Sequence, residues 1–108
     1  MSFLAIDSQK ALFTMQKNQL QFEKSIIASR TLVITREMAE LSESAGDDYD
    51  YENDPVYKQL EQTEIYYQTR SDNLDSQITL LDNALSSLKT LVNNNIKSTC
   101  QLNLAGGS

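Results

Sequence analysis

The chain has no histidine and no tryptophan, one cysteine, one proline and three glycines. Each scarcity excludes something. Without histidine, and with Cys100 as the sole thiol, no tetrahedral zinc site can be assembled, and the commonest general base of enzymes is missing. A lone cysteine cannot form an internal disulfide, so Cys100 reads as a free thiol, with a disulfide to another chain as the alternative. One proline and three glycines leave little material for turns, which suits long helices and argues against a sandwich or barrel of short strands. Cationic residues are also scarce, nine Lys and Arg against fifteen Asp and Glu, for a net charge of −6. A nucleic-acid binder needs the opposite sign to displace counterions from phosphates, and so does a protein that adheres to anionic lipid. No apolar run approaches the 18 or so residues of a membrane-spanning helix, and no membrane insertion is expected. The segment Met1-Ser2-Phe3-Leu4-Ala5-Ile6-Asp7 lacks the basic start of a signal peptide. The chain is therefore expected to be cytoplasmic, or exported without a cleaved signal.

What the sequence does have is helical periodicity on both sides of one acidic turn. Gly46 and the run Asp47-Asp48-Tyr49-Asp50-Tyr51-Glu52-Asn53-Asp54 break one helix, and Asp54-Pro55 supplies the N-cap and first position of another. The expected fold is all-α, a two-helix antiparallel hairpin of coiled-coil type in a single domain of 108 residues. Its helices cover about 3–45 and 55–97, its turn 46–54, and a polar tail 98–108. Ser2 or Asp7 would cap the first helix. Asn93-Asn94-Asn95 weakens the second near its end, since Asn side chains compete for backbone hydrogen bonds.

Each helix carries two apolar rows. In the first helix Leu20, Ile27, Ile34 and Leu41 repeat every seven residues. In the second, Leu74, Ile78, Leu81, Leu85, Leu88 and Val92 alternate by four and three, the seam of a coiled coil. These ten residues are expected to form the hairpin core. Beside them run Phe22, Ile26 and Val33 on the first helix and Leu80 and Leu91 on the second. Two rows make an apolar arc wider than one partner helix can cover. Exposed contiguous apolar surface marks an interface, so these five residues are expected to meet another chain.

The acidic turn places Asp48, Asp50, Glu52 and Asp54 at alternate positions, a weak candidate for a divalent cation. Asn53 stands where a calcium loop requires glycine, and Gln59 where it closes with glutamate, so a solvated turn is the better reading. Five tyrosines, Tyr49, Tyr51, Tyr57, Tyr66 and Tyr67, lie around the turn without the basic residues of a base-stacking platform. No nucleophile with a base, no paired acid and base, and no phosphate loop is present. Neither an enzyme nor a cofactor is expected.

The plan of helix, polar turn with Asn53-Asp54-Pro55, and a second polar helix bearing Tyr66, Tyr67 and Arg70 resembles the needle subunits of type III secretion systems. The resemblance is confined to the plan and the Asp-Pro turn. It implies a small hairpin that stacks into a hollow filament. In size and plan the chain also looks like the Trp-x-Gly hairpins exported by type VII systems, though it has no tryptophan. The expected function is thus a non-enzymatic, self-assembling hairpin whose partners are copies of itself. The alternative is a small intracellular adaptor or chaperone-like hairpin that receives a partner helix, and a divalent-ion-responsive module ranks third.

Overall fold

In the computed structural model, backbone is described for residues 2–106 and side chains for residues 2–98. The first helix, α1, spans Phe3–Ala45. Ser2 caps it: its hydroxyl accepts from the Ala5 amide at 3.2 Å and its carbonyl from Ile6 at 3.0 Å. Asp7, the other expected cap, lies inside the helix. The helix stops where Gly46 takes φ +80°, a left-handed conformation that costs a residue with a Cβ about 1 kcal/mol or more. The Tyr49 amide then donates back to the Gly46 carbonyl at 3.3 Å.

A single 3-10 turn, Tyr51–Asn53, leads into α2, which spans Pro55–Gly106. Asp54 caps α2 through Oδ1, which accepts from the amides of Val56 at 2.8 Å and Tyr57 at 3.4 Å. Pro55 occupies the first helical position, where an amide hydrogen would have no helical partner. The helix does not end near Lys97 but continues through the expected tail to Gly106. The three asparagines weaken a helix by only a few tenths of a kcal/mol each, too little to stop one already propagating. Leu102, Leu104 and Ala105, good helix formers, follow them.

The protein is therefore all-helical, two long antiparallel helices in contact, a helical hairpin. It divides into two units, Met1–Gln19 with Gln77–Ser108, and Leu20–Ser76. The second unit contains the turn, and its hairpin packs around Ile27 and Leu74, both buried. Leu20, Ile34, Met38, Leu41, Leu60 and Tyr67 line the same seam half-buried. In the first unit Ile6 and Leu88 are buried, and Phe13, Ile78, Leu81, Leu85 and Val92 are half-buried.

The inward positions obey one frame. On α1 they are Ile6, Phe13, Leu20, Ile27, Ile34 and Leu41, at strict seven-residue spacing, alternating with Lys10, Lys17, Lys24, Thr31 and Met38. On α2 they include Leu60, Tyr67, Leu74, Leu81 and Leu88, again seven apart. A 3.5-residue period keeps a narrow stripe on the partner helix. The lysines at inward positions send their amines to the seam's edge, the usual behaviour of a long cationic side chain beside apolar surface. In the first unit Lys17 Nζ meets Asp82 Oδ1 at 2.5 Å, and in the second Lys24 pairs with Asp75.

Candidate interaction surface

The seam leaves about as many large apolar residues outside it as it covers. Among the described residues four large apolar side chains are buried on it and eleven more, Tyr67 included, are half-buried along it, while fifteen large apolar or aromatic side chains are exposed. In the second unit the exposed set includes Phe22 at 68%, Ile26 at 37% and Val33 at 49%, with Leu32, Val56, Ile65 and Tyr66. In the first unit it includes Leu80 at 68% and Leu91 at 42%, with Leu4, Leu12, Met15 and Ile96. All five residues expected to meet another chain thus lie outside the seam, and all ten expected core residues lie on it, Ile27, Leu74 and Leu88 buried and the rest half-buried.

The exposed row on α1 has its own period. Leu4, Ala11, Met15, Phe22, Ile26 and Val33 are separated alternately by seven and four residues. Eleven residues per three turns is 3.67 per turn, against 3.5 for the inward row. The row therefore drifts round the helix relative to the seam, and one straight partner helix cannot follow both.

Three shallow grooves of about 250–350 Å³ border Tyr67 in the second unit. One is walled by Val33, Ile34 and Glu37, another by Ile27, Thr31 and Leu32, and the third by Ile26, Tyr66 and Arg70. Arg70 holds Glu23 Oε1 through Nη2 at 2.7 Å and Nε at 3.1 Å. Thr35 Oγ1, a little further along α1, lies 3.4 Å from Glu64 Oε2.

At the turn, Tyr49, Tyr51 and Tyr57 form a cluster of edge-on rings with centroids 4.5–6.2 Å apart, a favoured aromatic arrangement. The Tyr49 hydroxyl donates to Asp54 Oδ2, and the hydroxyls of Ser42 and Tyr51 are hydrogen-bonded. Burial, then the hydrogen bond to Asp54 and its negative charge, push the Tyr49 phenol up to about 12. The same hydrogen bond, with the Val56 and Tyr57 amides and against the effect of burial, holds Asp54 below its ordinary value. A fourth groove, of about 420 Å³, is lined by Tyr51, Glu52, Asn53, Tyr57, Lys58 and Glu61.

The turn does not gather its carboxylates as a cation would require. Asp54 is committed to the α2 cap and Tyr49, Asp50 accepts from the Asn53 amide nitrogen at 2.5 Å, and Asp48 and Glu52 are exposed. Among the described residues no group of three or more acidic, Cys or His side chains is placed to hold a metal ion. No helix among them is long and apolar enough to cross a membrane. The Cys100 side chain lies outside the described residues.

Sequence reasoning missed the lysine-bearing half of the α1 seam and the Tyr49–Asp54 bond. The first was findable: Lys10, Lys17 and Lys24 repeat every seven residues in step with Ile6, Phe13 and Leu20. The second carries no sequence signal beyond proximity. No family model, curated protein or solved structure matches the chain.

Proposed function

We propose that this protein is a non-enzymatic structural subunit that assembles with copies of itself through apolar residues outside the hairpin seam. The observation that carries this reading is that, among the described residues, fifteen large apolar or aromatic side chains stay exposed on a hairpin that fully buries only four. Covering a Leu, Ile or Phe contributes roughly 1.5–3 kcal/mol, so even a few of these residues at an interface favour association strongly. Among such assemblies a filament, exported as the needle-like plan implies, is the fullest form of the reading. The test is sedimentation velocity with negative-stain imaging of the purified chain. Val33→Asp and Leu91→Asp should keep most of the helical circular dichroism and abolish large species, because a carboxylate in a dry contact is left unpaired. A wild-type chain that sediments as a monomer over a wide concentration range overturns self-assembly.

A second reading, an adaptor that binds a partner helix, is favoured by the grooves around Tyr67. Their apolar walls suit side chains at i, i+3 and i+4 of an amphipathic helix. Under it the chain stays small alone, and Ile26→Asp weakens a partner without changing the size of the free protein.

A further inference from the structure

The exposed apolar surface does not carry the same charge throughout. The unit formed by Met1–Gln19 and Gln77–Ser108 holds four lysines and two aspartates, net +2, whereas Leu20–Ser76 holds five basic and thirteen acidic residues, net −8. The imbalance is steepest from Glu37 to Glu64, where ten acids face a single base, Lys58. A contact between like units of two copies therefore sets like net charge against like, at a cost that selects against it. A contact between unlike units joins opposite net charges.

Two local surfaces fit such a contact. On α2, Lys89, Asn93, Ile96 and Lys97 follow one another at spacings of four, three and one, which puts them on one helical face. All four are exposed, so the face is an apolar residue bracketed by two cations. At the turn, the groove of about 420 Å³ offers the converse: the rings of Tyr51 and Tyr57 with the carboxylates of Glu52 and Glu61, and Lys58 as its one cation. Aromatic rings accept both an apolar side chain and an ammonium group.

We infer that two copies join head to tail, the Lys89–Lys97 face of one seated on the tyrosine–glutamate groove at the turn of the next. The inference rests on the self-assembly reading and adds its polarity. A contact between unlike surfaces leaves one of each free on every dimer, so growth continues into a ring or an open filament, whereas a two-fold contact stops at a dimer. The head-to-tail contact is the kind a filament needs.

The experiment uses two variants of the full chain. Lys89→Glu/Lys97→Glu turns its unit from +2 to −2, and Asp48→Lys/Glu52→Lys/Glu61→Lys turns the other from −8 to −2. All five residues are exposed and lie outside the caps and the seam described above, and circular dichroism of each variant checks the fold. Sedimentation at about 50 mM salt should show the wild type as large species and the first variant reduced to monomer. The second variant should be weakened at least about tenfold. An equimolar mixture should form heterodimers about tenfold or more readily than the second variant associates with itself, since the positive unit of the second variant meets the −8 unit of the first. Raising salt to about 500 mM should lower wild-type association by about tenfold or more, because exposed charges are screened beyond a few ångströms there. A wild type that assembles while the first variant assembles equally well, or a mixture that yields no heterodimer, overturns head-to-tail polarity and leaves self-assembly standing. A monomeric wild type overturns both.

Discussion

The two units share one seam pattern but differ in how it is braced. In Leu20–Ser76 the seam is crossed by the Arg70–Glu23 and Lys24–Asp75 pairs and the Thr35–Glu64 hydrogen bond, and its turn is filled by three tyrosine rings. In Met1–Gln19 with Gln77–Ser108 the ion pair that crosses it among the described residues is Lys17–Asp82. The braces are largely exposed, and exposed pairs contribute little, about 0–1 kcal/mol each. Their greater effect is on register, since a displaced lysine would face the wrong partner. The covalent turn adds to this, because it makes the contacts of the second unit local and cheap in loop entropy. The unit with the turn should therefore open last.

The largest test of that comparison lies in the seam. Leu74 is fully buried beside the turn-bearing hairpin, and Leu74→Ala should lower stability by about 2–5 kcal/mol. Ile6 is equally buried, but three residues into α1, where a helix end frays. Ile6→Ala should therefore cost the global transition less, and hydrogen exchange should show its effect confined to the first unit. Equal losses in urea melts of the two variants would show that both units unfold as one and that the bracing is irrelevant. Leu81 and Leu85 are only half-buried, so their alanine variants should fall below Leu74→Ala.

Next in size are the two punctuation residues of the turn. Asp54→Ala removes the α2 cap and should cost about 1 kcal/mol. Gly46→Ala forces a Cβ into φ +80°, at a cost of similar size, although nothing lies within 4 Å of the added atom. Both losses should appear in thermal melts as a destabilisation of the turn-bearing unit, read by faster exchange of its amides. Below them stands Arg70→Ala, expected to cost under about 1 kcal/mol because the pair with Glu23 is part-exposed. A loss several times larger would mean that Arg70 also packs as a seam residue.

Much of the hairpin was legible because its signals are local. Asp54-Pro55 and Gly46 act within one turn of chain and a seven-residue repeat within two, and they mark the turn and the inward face of each helix. The end of α2 was not legible, because Asn93-Asn94-Asn95 weakens a helix without ending it: a propagating helix passes such residues at small cost. The braces were illegible for the opposite reason. Glu23 and Arg70 are 47 residues apart, and Lys24 and Asp75 are 51 apart, so their meeting depends on the register of the helices. That register follows from the seam only once the inward positions on both helices are fixed together. The exposed rows were visible as periodicity, while their charge contrast emerges only when the fold assigns residues far apart in sequence to one unit.

The smallest effect, and the most specific to the turn, is its response to pH. Tyr49 donates to Asp54: burial, with that hydrogen bond, pushes the phenol up to about 12, and the hydrogen bond holds the carboxyl down. A raised phenol means that the folded chain keeps a proton which the unfolded chain releases above its ordinary 10.0. Its contribution to stability is therefore complete below pH 10 and is lost as pH rises toward 12. A lowered carboxyl works the other way: its contribution is complete above the ordinary 3.8 and is lost as pH falls through the folded value. Tyr49→Phe deletes the hydroxyl and keeps the ring in its cluster. It should abolish the alkaline loss from this site and shrink the acid one, since the Val56 and Tyr57 amides still hold Asp54. Ultraviolet titration supplies the direct reading: the wild type should retain one late-ionising tyrosine that Tyr49→Phe lacks. If both chains titrate identically, the hydroxyl is not held by Asp54 in solution, and the turn-bearing unit loses the one brace that its aromatic cluster adds to the α2 cap.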